Sequence, residues 1–146
     1  MLRPDYGLSN GNYARAASER LRQRGDEADK AGDPATAGLM LFYSAECGLK
    51  AEILDRVLKA RDTSTLPAEL RTHNLRVLAK ELRLPAVVQD AVKSCTRKSR
   101  TDQPRVLVAP KELHEAWRYG ADLDPEEQNE ALAALRNLIE AARTCP

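Results

Sequence analysis

Residues 34–59 constrain the fold of this chain more than any other stretch, because their first half carries no charge. Every residue from Ala35 to Ala45 is uncharged, and this run includes the bulky segment Met40-Leu41-Phe42-Tyr43. Farther on, apolar residues recur at helical spacing among charged ones, at Leu49, Ile53, Leu54, Val57 and Leu58. A helix that is apolar nearly all round is contacted on several sides. The pattern therefore predicts a central helix over 34–59.

The rest of the chain predicts an all-α fold in a single domain. With 146 residues, 31% charged residues and 4% aromatic residues, the chain suits a helical bundle with an aliphatic core. We expect an irregular arm over 1–11 and one domain over 12–146. The first helix is expected to be capped by Asn12 or Ser9 and to end near Ala31. Three later helices are expected at about 73–82, Pro85–Cys95 and Pro110–Tyr119, and a final helix begins after Asp124.

Two local patterns refine this prediction. Asp124, Pro125 and Glu127 have the spacing of a capping box, in which the cap and the third helical residue bond each other's backbone. The segment 106–108, Val-Leu-Val, is compatible with a short extended piece. It lies in the least periodic part of the chain, so its state stays open.

Charge and cysteine content narrow the class of protein. The net charge is +1, which gives no global attraction to nucleic acid or anionic lipid. Cys47, Cys95 and Cys145 are odd in number and widely spaced, which favours free thiols in a reducing compartment. No apolar signal core opens the sequence, and charges interrupt its most apolar window, 37–58. We therefore expect a cytoplasmic protein without membrane association, cofactor or metal.

A polar cluster is expected on the central helix. Glu46 and Lys50 lie four residues apart and so share one helix face. A half-buried ion pair persists only when both partners are well bonded, and we expect His73 and Arg118 to join this pair. The cluster is interpreted either as a polar pocket for a ligand or as a structural clasp that ties three helices together, the clasp being the favoured interpretation.

The histidines and the aromatic residues have both functional and structural interpretations. His73 would serve as an acid or base near neutral pH, although such a histidine more often bonds the backbone. With only His114 as a second histidine, a metal site is not expected. The segment 117–119, Trp-Arg-Tyr, would stack a base and hold a phosphate. In the favoured interpretation, Trp117 packs in the core and Arg118 reaches an acid such as Glu46.

A basic segment is the best electrostatic indication of RNA or phosphate binding. Residues 93–105 have a net charge of +4, with Asp102 as the single acid. The cations are Lys93, Arg97, Lys98, Arg100 and Arg105. The alternatives are a solvated loop, or pairing across a dimer with the acidic start of the last helix, between Asp122 and Glu130.

Three pieces of the sequence together resemble the HEPN family of small helical-bundle domains. They are residues 43–51 (YSAECGLKA), 72–75 (THNL) and 117–119 (WRY). The resemblance spans roughly residues 12–143. It implies an up-down bundle of four or five helices with a long central second helix, paired with a second copy through the long helices. Many members are metal-independent RNases of toxin–antitoxin, abortive-infection or CRISPR systems, and others are non-catalytic.

The sequence departs from the RNases of this family, whose catalytic motif is an Arg followed after four to six residues by a His. Neither His73 nor His114 has an Arg at that distance, since those positions hold Leu66, Pro67 and Ala68 or Leu107, Val108 and Ala109. We therefore predict a non-catalytic module that binds RNA, a nucleotide or a partner protein from the same operon, in a bacterial defence or toxin–antitoxin setting. We also expect a homodimer formed through the apolar first half of the helix over 34–59.

Two other interpretations of the function stay open. The first is a metal-independent endoribonuclease with an unusual site, whose candidate residues are Glu46, His73, Arg118 and Tyr119. The second is a purely structural subunit, in which the polar cluster only holds helices together.

Overall fold

The fold is described from a computed structural model, which covers residues 10–58, 66–98 and 106–145. The described chain is predominantly helical, as predicted, with one small antiparallel sheet that the all-α prediction did not include. Its helices are α1 (Asn10–Lys30), α2 (Pro34–Glu52), α3 (Leu75–Glu81), α4 (Ala86–Gln89), α5 (Leu113–Arg118) and α6 (Pro125–Arg143). The strands are β1 (Cys95–Arg97) and β2 (Val106–Val108), and short 3₁₀ turns cover Ala68–Leu70 and Pro110–Glu112.

Helix α2 lies at the centre of the fold, in contact with α1, α3, α5 and α6. Asp33 caps it by accepting a hydrogen bond from the Thr36 backbone nitrogen at 3.2 Å, and Pro34 occupies its first turn. The α-helical part ends at Glu52, and a π-helical turn over Ile53–Val57 replaces the regular helix expected to residue 59. Lys59 lies outside the described residues.

Part of the apolar first half of α2 is buried within a single chain. Ala37, Leu41, Phe42 and Ala45 are fully buried in the common core, whereas Leu39, Met40 and Tyr43 are only partly buried. The four buried residues are not available to a second copy, because other helices of the same chain cover them. Dimerisation itself stays a prediction.

Small residues bring α1 and α2 close together. The Ser18 hydroxyl donates to the Ser44 carbonyl at 2.7 Å, and the Ser44 hydroxyl donates to the Ser18 carbonyl at 2.7 Å. Both serines are buried, so these reciprocal bonds fix the two helices in register. At the other side of α2, Gly38 lies directly against the Trp117 ring, and a Cβ there would come within 2.4 Å of it.

The start of the first helix differs from the prediction. Helix α1 begins at Asn10, so Asn12 is not a cap but lies inside the helix, where its side chain accepts a hydrogen bond from Arg15. Ser9 and the remainder of the expected arm lie outside the described residues.

The helix predicted from Pro85 to Cys95 is wrong beyond its first turn. Helix α4 contains only Ala86–Gln89, and Cys95 instead pairs with Val108 in the antiparallel sheet. Val87 and Val88 lie inside α4, so helix propensity does not set where it ends. The end of the predicted helix instead pairs as a strand, and there the Cys95 side chain is fully buried in the core. Val106–Val108, whose conformation the sequence left open, forms the second strand of this sheet.

The sheet is joined to the start of α6. Asp124 caps α6 as predicted, since its carboxylate accepts from the Glu127 backbone nitrogen at 3.0 Å. The reciprocal half of the expected capping box is absent. The Glu127 carboxylate instead accepts from the Thr96 backbone nitrogen at 2.7 Å, while the Asp124 nitrogen donates to the Thr96 carbonyl at 2.8 Å. Thr96 of β1 therefore bonds both the Glu127 carboxylate and the Asp124 nitrogen, which would bond each other in a capping box.

None of the helices within the described ranges combines the length and the apolar character that a bilayer span requires.

Candidate functional site

Glu46 is the centre of a polar cluster on α2. Its carboxylate is largely buried; one oxygen lies 2.6 Å from His73 Nδ1 and the other accepts from Lys50 Nζ at 2.8 Å. His73 precedes α3, where Thr72 accepts a hydrogen bond from the Asn74 backbone nitrogen. Three of the four residues expected in the cluster therefore lie together.

The fourth residue, Arg118, joins the cluster differently from the expectation. Its guanidinium donates to the Tyr43 hydroxyl and lies 5.8 Å from the centroid of the Tyr43 ring, rather than pairing with Glu46. Both oxygens of Glu46 are already engaged by Lys50 and His73, and Arg118 is exposed at the end of α5. Tyr43 thus lies between Arg118 and His73, and the centroids of the Tyr43 and His73 rings are 6.3 Å apart.

A column of rings runs from the core to the surface beside this cluster. The rings of Phe42 and His114 are 4.9 Å apart, and those of His114 and His73 are 4.5 Å apart. Phe42 is fully buried and His114 is 4% exposed, whereas the His73 side chain is 54% exposed. The two imidazole planes are tilted by 40°, so His73 packs at an angle against the buried His114 while the rest of its ring faces solvent.

Burial sets the protonation of His114. Desolvation lowers the pKa of His114 below its usual value, and the neighbouring His73 lowers it further, while Glu115 and Glu46 oppose the shift. Its Nδ1 atom is buried without a hydrogen-bond partner among the described residues. His114 is consequently neutral at neutral pH and acts as a flat ring in the column rather than as a charge.

The 117–119 segment divides between core and surface. Trp117 is 3% exposed and donates from Nε1 to the Gln128 side chain at 2.9 Å, so the core interpretation is the correct one. Tyr119 is 78% exposed and, within the described part of the chain, has no hydrogen bond or ring contact to the polar cluster. Tyr119 is therefore not part of this site, in contrast to the expectation.

The described part of the basic segment is divided between two elements. Lys93 lines a cleft near α3, whereas Arg97 lies on β1 and Lys98 follows it. There the Lys98 backbone nitrogen donates to the Asp122 carbonyl at 2.7 Å. The basic and acidic segments thus meet inside one chain, so their contact needs no dimer. Arg100 and Arg105 lie outside the described residues.

Sequence reasoning missed two members of the site and one further charge cluster. Tyr43 was not named as a member of the polar cluster, although its spacing of three and seven residues from Glu46 and Lys50 places all three on one helix face. His114 gave no signal, because only folding brings it under His73.

The charge cluster that was missed centres on Glu52, which is 5% exposed. Its carboxylate accepts from Arg15 Nε at 2.8 Å and from Arg56 Nε at 2.6 Å. The Arg15 contact joins α1 to the end of α2, so this cluster has a structural role.

The contact between Glu46 and His73 determines which nitrogen of the His73 ring is free to accept a proton. A neutral imidazole carries one proton, and the carboxylate at Nδ1 of His73 favours that proton on Nδ1, which leaves Nε2 as an acceptor. The exposed side of the His73 ring can stack on a base, and the Arg118 guanidinium, held on the neighbouring Tyr43 ring, can bind a phosphate. Within the described ranges, no group of three histidine, cysteine or acidic residues is placed to hold a metal ion.

No protein-family model, curated protein or solved structure matches this chain. The resemblance to the HEPN family therefore stays a prediction from the three sequence pieces.

Proposed function

We propose that this chain is a non-catalytic module that binds single-stranded RNA through the surface formed by Tyr43, His73 and Arg118. The observation that carries the proposal is the ring column, which ends in the half-exposed His73 imidazole next to Tyr43, whose ring and hydroxyl hold the exposed Arg118 guanidinium. Single-strand sites combine a stacking ring with a nearby cation in this way.

The buried part of the cluster supports this surface. Glu46 holds the His73 ring in one orientation, and Lys50 compensates the charge of Glu46. His114 supports the other side of the ring as a neutral partner. Because Glu46 and His114 already fix the orientation of the His73 ring, the ring loses little conformational entropy when a base stacks on it.

The biological setting is proposed from the sequence resemblance alone. As a HEPN-like domain, the chain would act in a bacterial defence or toxin–antitoxin system in the cytoplasm, as a homodimer or with a protein partner from the same operon. The homodimer is still expected to form through the first half of α2, where Leu39 and Met40 remain partly exposed.

A second candidate function, metal-independent RNA cleavage, is favoured by the contact between Glu46 and His73. A carboxylate bonded to Nδ1 orients an imidazole so that Nε2 accepts a proton, here from a ribose 2′-hydroxyl. Arg118 would stabilise the charge that develops on the phosphate. The missing Arg-x4–6-His motif places this function second.

The two functions and the structural alternative separate in one experiment. A fluorescently labelled single-stranded RNA is titrated with protein in EDTA, and anisotropy and RNA integrity are measured on the same samples. Binding with intact RNA is expected, and Arg118→Ala should weaken it about 5- to 100-fold and reduce its salt dependence. Arg143→Ala, an exposed arginine near the end of α6, is the matched control and should leave the affinity unchanged.

The other outcomes are equally definite. If the protein cleaves RNA in EDTA and His73→Ala abolishes the cleavage, the chain is a metal-independent RNase and the non-catalytic binding proposal is refuted. Neither binding nor cleavage, with a lowered melting temperature in Glu46→Ala, would leave the cluster as a structural clasp.

A further inference from the structure

A separate cleft of about 510 Å³ lies between α3, the segment 92–94, the turn at 109–111 and α6. Its floor is apolar and is formed by side chains of the common core, at Leu75, Val92 and Leu138. A volume of this size is typical of sites for small molecules. None of the residues of the ring column lines it.

The rim of the cleft is positively charged. Of its four charged residues, Arg76 and Asp90 are bonded to each other at 2.6 Å and offset one another. Lys93 and Lys111 remain, both exposed at the surface. The net charge of the lining is therefore positive, above an apolar floor.

The walls also offer neutral polar groups. The Gln89 amide nitrogen is committed to the Leu84 carbonyl at 2.7 Å, which leaves its oxygen to accept a hydrogen bond. Asn74 accepts a bond from the Val77 backbone nitrogen through its oxygen, which leaves its amide group to donate. With Ser94, these groups would orient a bound molecule without adding charge.

We propose that this cleft binds a small organic anion whose flat apolar body lies on the floor and whose carboxylate or phosphate group faces Lys93 and Lys111. An apolar molecule without charge would leave the lysines unused, and an inorganic ion would leave the floor exposed to water. Binding therefore requires both the apolar body and the acidic group of the ligand. It does not depend on RNA binding at His73, and it is tested with different probes.

The test uses ¹⁵N-labelled full-length protein and four probes: 1-naphthyl phosphate, 1-naphthoate, the neutral 1-naphthalenemethanol and inorganic phosphate. We expect at least one naphthyl anion to bind with a Kd on the order of 1 mM or below. Chemical shifts should change at 74–76, 92–94 and 109–111. The naphthyl alcohol and phosphate alone should bind at least about tenfold more weakly. Comparison of the two anions tells which acidic group the lysines prefer.

Lysine variants test the charge. Lys93→Ala and Lys111→Ala should each weaken binding of the anion about three- to tenfold, and less so at high salt, because both ammonium groups are exposed and screened. Lys80→Ala is the matched control, since Lys80 is an exposed lysine on α3, the helix that forms one wall of the cleft, but lines a different groove. Equal loss in Lys80→Ala would show a non-specific charge effect and overturn the proposal.

A steric variant tests the location. Ser94→Trp places a large ring in the cleft and should abolish binding of the naphthyl anion while circular dichroism shows an unchanged fold. If this variant does not fold, the shift map of the native protein decides. Changes confined to other residues, binding of the alcohol as tight as that of the anions, or no saturable binding would each refute the proposal.

Discussion

Gly38→Ala is the perturbation whose effect follows most directly from the structure. Gly38 lies in the α-helical part of α2, and a Cβ on it would come within 2.4, 2.5 and 2.8 Å of three atoms of the Trp117 ring. Carbon atoms pack at about 3.5–4.0 Å, so the ring must move by about an ångström. Trp117 has little room to do so, because it is buried and its Nε1 is bonded to Gln128.

Two opposing terms give the magnitude. Alanine is the better helix former by about 1 kcal/mol in a helix interior, which stabilises the variant. Overpacking a close-packed core costs about 1–3 kcal/mol, and an overlap of this depth belongs at the upper end. The net expectation is a loss of about 2 kcal/mol in the free energy of unfolding. For a chain of this size, that corresponds to a fall in Tm of about 4–8 °C.

Guanidinium unfolding followed by far-UV circular dichroism measures this loss. Gly48→Ala is the matched control on the same helix, since its Cβ would meet nothing closer than the Ser18 hydroxyl at 3.2 Å. Its stability should stay within about 1 kcal/mol of the native protein.

A double-mutant cycle tests the mechanism. In a Trp117→Leu background the obstructing ring is gone, so Gly38→Ala should stabilise by about 1 kcal/mol through helix propensity, and the two changes should be coupled by about 3 kcal/mol. A Gly38→Ala variant as stable as the native protein, or the same loss in both backgrounds, would refute the packing argument. Because Trp117 precedes Arg118 and shares α5 with His114, displacement of the ring should also weaken RNA binding.

Three further predictions follow from other contacts. Burial lowers the pKa of His114, so the unfolded state binds a proton at a higher pH than the folded state does, and the folded state loses stability as pH falls below about 6.5. The loss is at most about 1.4 kcal/mol per pH unit. Guanidinium unfolding at pH 7.5 and 5.5 should show a smaller loss in His114→Phe than in the native protein. Ser18→Ala and Ser44→Ala should each cost about 1–2 kcal/mol in thermal unfolding, and the double variant should cost less than the sum because the bonds are reciprocal. Burial, reinforced by Glu127, raises the pKa of Cys95 to about 11, so iodoacetamide at pH 8 should modify it only after denaturation, as mass spectrometry of peptides would show.

The local signals of the sequence were reliable where a single element decides the outcome. The uncharged run of α2 predicted a helix surrounded by others, because a surface apolar on all sides is stable only when it is covered. The cap at Asp124 was predicted from residues adjacent in the chain, and its carboxylate bonds the expected backbone nitrogen. Trp117 in the core was also anticipated.

The failures occurred where a segment found a distant partner. The valines after Pro85 and the cysteine at 95 permit both a helix and a strand, and the pairing of Cys95 with Val108 decides for the strand. The same pairing redirects Glu127 from its own helix to Thr96. Local propensity is worth a few tenths of a kcal/mol per residue, so tertiary pairing readily overrides it.

The candidate site shows the same division. The sequence by itself determined that Glu46 and Lys50 share a face of α2, because helical geometry fixes the position of every fourth residue. Only the tertiary structure decided that His73 stacks on His114, that Arg118 reaches Tyr43, and that Lys93 and Lys111 share a cleft. These residues come from different elements, and their meeting depends on how the helices pack.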